Sequence, residues 1–290
     1  MEDKLIEKED YLREIGNIDP KVIIKCLNLF FPKWGKMMTR TDEIYYYTGL
    51  DTLINGIFKT SEEICLWASR WDFMNDPEEF RVGMKEFRFL EEEGTVWVKD
   101  AILRRLKQTH LISFSEYKDF LPMWKMYGDG GRGVMLIFDF KELFKKWGGQ
   151  LHPCIYKGTK VYKQSIDEIY HFSNNSDYNF LSDTQKIYIL IAMLTLFVSI
   201  SKNRDYVYER EVRITGMENG TDGIKNEQKY RVANGVIIPY VETFMPKESL
   251  KGVCLGPLVK SEVNQNTLKE FLCNKGYENV EVSGSDINYR

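Results

Sequence analysis

In the first 40 residues, apolar positions recur at helical spacing, at Val22, Ile23, Leu27 and Phe30. Asp19-Pro20 can start a helix and Pro32 can end one, so the pattern predicts a helical extension over residues 1–40 that caps the rest of the chain. From Ile44 the character changes. The aromatic run Tyr45-Tyr46-Tyr47-Thr48 predicts a strand, and Leu50, Leu53, Ile54, Ile57 and Phe58 then suit a short amphipathic helix. Ile64 to Ser69 predicts a buried strand, followed by a polar turn at Met74-Asn75-Asp76-Pro77. Phe80 to Leu106 reads as helix with a break around Gly94, His110 to Ser115 as a strand, and Phe120 to Tyr127 as an aromatic helical turn. Glycines 128, 130, 131 and 133 then lead into a strand from Val134 to Asp139.

Further on, short helix and strand patterns alternate to about Thr184, with a polar loop at Ser173 to Asp177. Ile187 to Ile200 predicts a buried helix, Tyr208 to Ile214 a strand, and Met217 to Asn226 a polar loop. Two β-type runs, Gly235 to Val241 and Leu250 to Leu255, a helix from about Ser261 and a last strand at Val280 to Val282 complete the chain. With no repeat or long linker, the order of elements predicts one α+β domain over residues 41–290 behind the extension.

Composition narrows the function classes. At 290 residues, 43% hydrophobic and 14% aromatic, the chain can bury a substantial core. A net charge of −3 argues against an overall basic nucleic-acid binder and leaves room for a local basic groove, for which Lys33 to Arg40 and Lys202-Asn203-Arg204 are candidates. The five cysteines are scattered without Cys-x-x-Cys spacing and the three histidines are isolated, so neither a disulfide framework nor a metal site is expected. A reducing cytoplasm is the simplest location. The charged start Met1-Glu2-Asp3-Lys4 is not the order of a secretory signal. The 14 residues of Ile187 to Ile200 fall short of the roughly 18 to 20 that span a bilayer, so no membrane partner is expected.

Several short patterns are candidates for chemistry. If Glu209-Arg210-Glu211 lies on a strand, alternation puts both carboxylates on one face, where they repel unless compensated. Such a pair can stabilise a sugar cation; alternatively it pairs with Arg210 or Arg213 and is structural. Ser113-Phe114-Ser115 places two hydroxyls on one strand face, suited to a ribose or to holding a carboxylate. Met123-Trp124-x-x-Tyr127 puts two rings on one helical face, either as a core pair or as a stacking surface. The glycines from Gly128 to Gly133 precede a strand, which suits a tight turn and not a phosphate loop.

Taken in order, Tyr45-Tyr46-Tyr47-Thr48-Gly49-Leu50, Leu66-Trp67-Ala68-Ser69 with Asn75-Asp76-Pro77, Ser113-Phe114-Ser115, Met123-Trp124-x-x-Tyr127 and Tyr208-Glu209-x-Glu211-x-Arg213 resemble a widespread bacterial family. It has long been catalogued as a domain of unknown function, and its members look like divergent ADP-ribosyltransferases. The resemblance spans roughly residues 41 to 260 and implies a split β-sheet core with flanking helices. It implies NAD as ADP-ribose donor, a macromolecular acceptor (protein, RNA or DNA), a setting as toxin, effector or phage-defence component, and a possible cognate antitoxin or inhibitor. By position, Glu211 resembles the catalytic glutamate and Glu209 its upstream acid. Ser113 and Ser115 resemble the serine-bearing strand, and Tyr46 stands where the family places Arg or His, with Thr48 and Ser69 beside the site. Tyr47, Trp67, Trp124 and Tyr127 are implied as stacking walls, with Asn75 and Asp76 fixing a loop or touching ligand. Two alternatives stay in view: NAD hydrolysis, with water as acceptor, which the same Glu211 could support, and a non-catalytic binding module on the same fold, which the tyrosine at position 46, offering no guanidinium, keeps open.

Overall fold

The structure, a computed structural model, describes residues 41–59, 63–74, 78, 80–92, 95–147, 150–172, 179, 181–217, 227–233 and 235–289. The predicted extension 1–40, the basic cluster Lys33 to Arg40, the Asn75-Asp76-Pro77 turn and the Ser173 to Asp177 loop lie outside them. The described strands are β1 (Glu43–Thr48), β2 (Ile64–Arg70), β3 (Thr109–Ser115), β4 (Val134–Asp139), β5 (Leu151–Pro153), β6 (Ile155–Tyr156), β7 (Ser201–Lys202), β8 (Glu211–Met217), β9 (Lys229–Ala233), β10 (Val236–Met245), β11 (Leu250–Leu255) and β12 (Glu281–Gly284). With several helices they make an α+β protein whose described residues fall into two compact units, one within 76–107 and 155–204, the other within 41–75, 108–154 and 205–289.

The described part of the first unit is mainly helical. The helix Asp183–Ile200 packs on the helices Val96–Lys107 and Lys160–Phe172 and on the turn Arg81–Met84. It opens with a capping box in which Ser182 Oγ accepts from the Gln185 amide and Gln185 Oε1 accepts from the Ser182 amide. By length and apolarity alone, with a mean hydropathy of 1.4, this helix meets the requirement for a membrane span. Its Ile189, Ile191, Met193, Leu194, Phe197 and Val198 are buried, as in a core helix. Gly83 permits the close approach of the Arg81–Met84 turn, because a β-carbon there would lie 3.0 Å from the Val198 Cα. β6 and β7 form a short parallel pair.

The second unit is built on a ten-stranded sheet in the order β12-β11-β4-β1-β3-β2-β10-β9, with β8 on β3 and β5 on β8. All pairs are antiparallel except β11 with β12. β3 is the hinge of this arrangement. One of its edges pairs with β8 along its whole length, Thr109 opposite Met217 through Ser115 opposite Glu211. The other edge is shared: β1 meets it at Ser115, opposite Tyr45, and β2 meets it at Leu111 and His110, opposite Ser69 and Arg70. Both strands run antiparallel to β3, and extending their registers would set Thr48 and Ala68 opposite the same residue, Ile112. They must therefore splay, which leaves a parting along residues 112–114 of β3.

One face of β1 is closed by the helix Leu121–Tyr127. Tyr45, Tyr47, Met123, Trp124, Met135, Ile137 and Cys254 form a buried cluster there, flanked by Phe120, Tyr127 and Ile287. The Tyr47 and Trp124 rings meet edge to face, 5.0 Å apart at 85°. Asp119, whose φ of +46° is of the left-handed kind that aspartate tolerates, pins the end of this cluster. Its carboxylate accepts from Trp124 Nε1 at 2.7 Å, Ser285 Oγ at 2.6 Å and the Asp286 amide at 2.7 Å.

Several elements differ from the pattern-based expectation, among them the predicted helix Phe80 to Leu106, which consists of the turn Arg81–Met84, a 3-10 turn Arg88–Glu91 and the helix Val96–Lys107. The predicted strand Tyr208 to Ile214 begins only at Glu211, and Glu209 ends a 3-10 turn, Arg204–Glu209. Between them Arg210 takes a φ of +40°, which turns the chain out of the helical path into β8, so Glu209 and Glu211 do not share a face by strand alternation. β9 was not expected at all.

Candidate active site

β3 and β8 bring together two motifs that lie far apart in the chain. Ser115 stands opposite Glu211 and Ser113 opposite Arg213, so the four side chains share one face, with Tyr45 completing the Ser115 rung on β1. Glu211 is 4% exposed and Arg213 not at all, and the two form a fork: Arg213 Nε donates to Oε1 at 2.7 Å and Nη2 to Oε2 at 2.9 Å. Bidentate charge-assisted pairing of this kind fixes the carboxylate plane.

Glu209 approaches the same strands from the turn and is also buried. Its Oε1 accepts from the Tyr127 hydroxyl at 2.7 Å, and its carbonyl accepts from Ser115 Oγ at 2.7 Å. Ser115 Oγ accepts in turn from the Tyr117 amide at 3.0 Å. Arg213 thus donates to Glu211 and the Tyr127 phenol to Glu209, which offsets the repulsion expected between the two acids. Ser113 is partly exposed, yet its Oγ is buried and has no hydrogen-bond partner among the described residues. An unmet buried hydroxyl costs about 1–3 kcal/mol, so it marks a place where an acceptor or donor is wanted.

The other group lies in the parting. Alternation turns Tyr46 away from the Tyr45 and Tyr47 face, against Phe114 at 5.8 Å. Burial raises the Tyr46 hydroxyl above its ordinary pKa, opposed by the charge of Arg231 and reinforced by Cys65. From β2, Trp67 packs on Tyr240 of β10 at 4.9 Å, and Ser69 Oγ accepts from Arg231 Nη2 at 3.1 Å. Gly56 makes room for the Trp67 ring, since a β-carbon there would lie 2.6 Å from it.

The predicted site residues therefore fall into two sets. Glu209, Glu211, Ser113, Ser115 and Tyr127 gather at β3 and β8; Ser69, opposite Leu111, and Trp67, two residues before it, share the face of β3 that carries Ser113 and Ser115, while Tyr46 lies on the other face against Phe114. Tyr46 faces opposite to the side of β1 that carries the Ser115 and Glu211 rung, which the alignment of motifs alone does not reveal. Trp124 is wholly buried and Tyr47 nearly so; with the Tyr47 hydroxyl donating to the Tyr117 carbonyl at 2.8 Å, both rings serve the core and not a ligand wall. Thr48 is buried opposite Val134, and Asn75 and Asp76 lie outside the described residues. Arg231 is the residue that sequence reasoning missed. The signal was there in Lys229-Tyr230-Arg231-Val232, where basic and apolar residues alternate with the period of a strand.

Among the described residues no group of three or more His, Cys, Asp and Glu side chains is placed to hold a metal ion. Residues 123–214 match the model of a family described as a protein of unknown function (DUF2971). The match covers just under a third of the chain, and includes Trp124, Tyr127, Glu209, Glu211 and Arg213 while leaving out β1, β2 and both serines of β3. No curated protein and no solved structure is significantly similar to the chain.

Proposed function

We propose that the chain is a mono-ADP-ribosyltransferase that moves ADP-ribose from NAD to a macromolecular acceptor, protein or nucleic acid, with Glu211 as the central catalytic residue. The observation that carries this reading is the Ser115 and Glu211 rung. Two motifs whose order resembles that of ADP-ribosyltransferases become cross-strand partners, and Ser115 also holds the carbonyl of Glu209. The orphaned Oγ of Ser113, one rung away, suits a ribose hydroxyl.

In this mechanism the glycosidic bond between ribose and nicotinamide breaks ahead of attack, and nicotinamide leaves as a neutral base. Glu211, oriented by Arg213, accepts a hydrogen bond from a ribose hydroxyl and stabilises the positive charge that develops on the sugar. Glu209, held by Tyr127 and Ser115, takes the proton of the acceptor nucleophile as the new bond to the sugar forms. Burial of both acids strengthens these electrostatic effects by excluding water.

The test is incubation of the full chain with labelled NAD and a cell lysate, followed by protease or nuclease digestion of the product. Labelled macromolecule is expected, and Glu211→Gln should slow NAD consumption at least about 100-fold at a temperature where it remains folded. Consumption at the original rate by that variant would sink the assignment, and free ADP-ribose without labelled macromolecule would shift it to NAD hydrolysis. One observation favours a second reading, a non-catalytic binding module: the Arg213 fork makes Glu211 look like a structural ion pair. Calorimetric binding of NAD without its consumption would decide for that reading.

A further inference from the structure

Three cations, Lys59, Lys229 and Arg231, gather around Trp67 and a single carboxylate, Glu242 of β10. Glu242 divides its oxygens between the lysines, accepting from Lys59 Nζ at 2.5 Å on Oε1 and from Lys229 Nζ at 2.8 Å on Oε2. Arg231 forms no ion pair among the described residues. Its guanidinium lies 5.8 Å from the centre of the Trp67 ring, its Nη2 donates to Ser69 Oγ, and its Nε is buried without a partner. A half-buried guanidinium of this kind stands beside two lysines that share Glu242, one of them also under the charge of Glu227, and leaves an unmet donor next to Trp67.

We propose that Arg231, oriented by Ser69 and supported by Lys59, is the diphosphate-binding residue of a nucleotide site in the parting, with Trp67 as its floor. The planar fork of arginine matches two phosphate oxygens, and its unmet Nε is a donor such an oxygen would satisfy. This rests on the reading of the protein as an NAD-dependent transferase, and it supplies from β9 the guanidinium that β1 lacks.

Calorimetry of the full chain with ADP-ribose, ADP, pyrophosphate and adenosine, for the wild type, Arg231→Gln and Arg231→Lys, tests it alongside NAD consumption. ADP-ribose and ADP should bind at least tenfold more tightly than adenosine, and more weakly as salt is raised. Arg231→Gln should weaken ADP by about tenfold or more, the loss of one charge-assisted hydrogen bond, and leave adenosine unchanged. Arg231→Lys should restore part of the loss, and the KM for NAD should rise in Arg231→Gln. Pyrophosphate binding as tightly as ADP would show a site for free diphosphate and overturn the nucleotide assignment. ADP affinity equal in wild type and Arg231→Gln overturns the proposal even if NAD is consumed. ADP binding through Arg231 with NAD left intact upholds the site and overturns the transferase reading instead. Should Arg231→Gln fail to fold, Ser69→Ala decides: several-fold weaker ADP binding is expected, and unchanged binding overturns the proposal.

Discussion

Arg213→Met removes the guanidinium from a pair in which neither side chain has meaningful access to water. Glu211 is then left as a buried carboxylate that has lost hydrogen bonds of 2.7 and 2.9 Å. Breaking a buried pair on one side costs about 3–5 kcal/mol, because the surviving charge stays desolvated. For proteins of this size each kcal/mol lowers the melting temperature by about 2–4 °C, so a drop of roughly 6–20 °C is expected. The double variant Glu211→Gln/Arg213→Met removes both charges and should lose less than the sum of the two single variants, with a coupling of roughly 1–3 kcal/mol. Urea denaturation followed by circular dichroism, on the wild type and all three variants, measures that cycle. Additivity within about 0.5 kcal/mol would show that the fork contributes no pairwise energy and would refute the reasoning.

Tyr127→Phe deletes the phenol that donates to the buried Glu209 carboxylate and should cost about 1.5–3 kcal/mol in the same denaturation assay. Burial pushes Glu242 up, but the hydrogen bonds from Lys229 and Lys59 outweigh it and hold its carboxyl below the ordinary value of 4.5. The stability this contributes is present above that value and is lost as pH falls below it, so Glu242→Gln should flatten the decline in stability measured on acidification below about pH 4.5. Burial raises the Cys65 and Cys254 thiols to about 11, so iodoacetamide at pH 8 should label Cys273 first among the described cysteines, as read by peptide mass spectrometry. At Gly133 a β-carbon would collide with the Thr48 carbonyl and the Gly128 backbone, so Gly133→Ala should destabilise by roughly 1–3 kcal/mol or more, and a melting temperature equal to the wild type would count against the close approach.

Much of the secondary structure is written locally. β1, β2, β3, β4 and β11 and the helix Asp183–Ile200 fall within a few residues of where periodicity puts them, because a segment with one apolar face, or an all-apolar run bounded by turns, can bury itself in only a few ways. The motifs of the site were legible as residue types in order. Their roles were less so: Met123-Trp124 could be core or ligand wall by its spacing, and only the pin from Trp124 to Asp119 and the T-shaped contact with Tyr47 put it in the core. Glu209-Arg210-Glu211 reads as strand by composition, but a left-handed Arg210 breaks the alternation, and a positive φ leaves no trace in hydrophobic pattern.

By itself, the sequence determined the α+β class and the placing of most strands, and its ordered motifs offered a serine-bearing strand and an acidic run as candidates for one site. The tertiary structure alone decided that β1 and β2 share an edge of β3 and must part, that Glu211 is forked to Arg213 while Glu209 is held by Tyr127, and that Arg231 comes to lie over Trp67 and against Ser69. The physical reason is range. Periodicity records what each segment buries, while strand order, register and the company a charge keeps are set by contacts between residues such as Ser69 and Arg231, 162 positions apart in the chain.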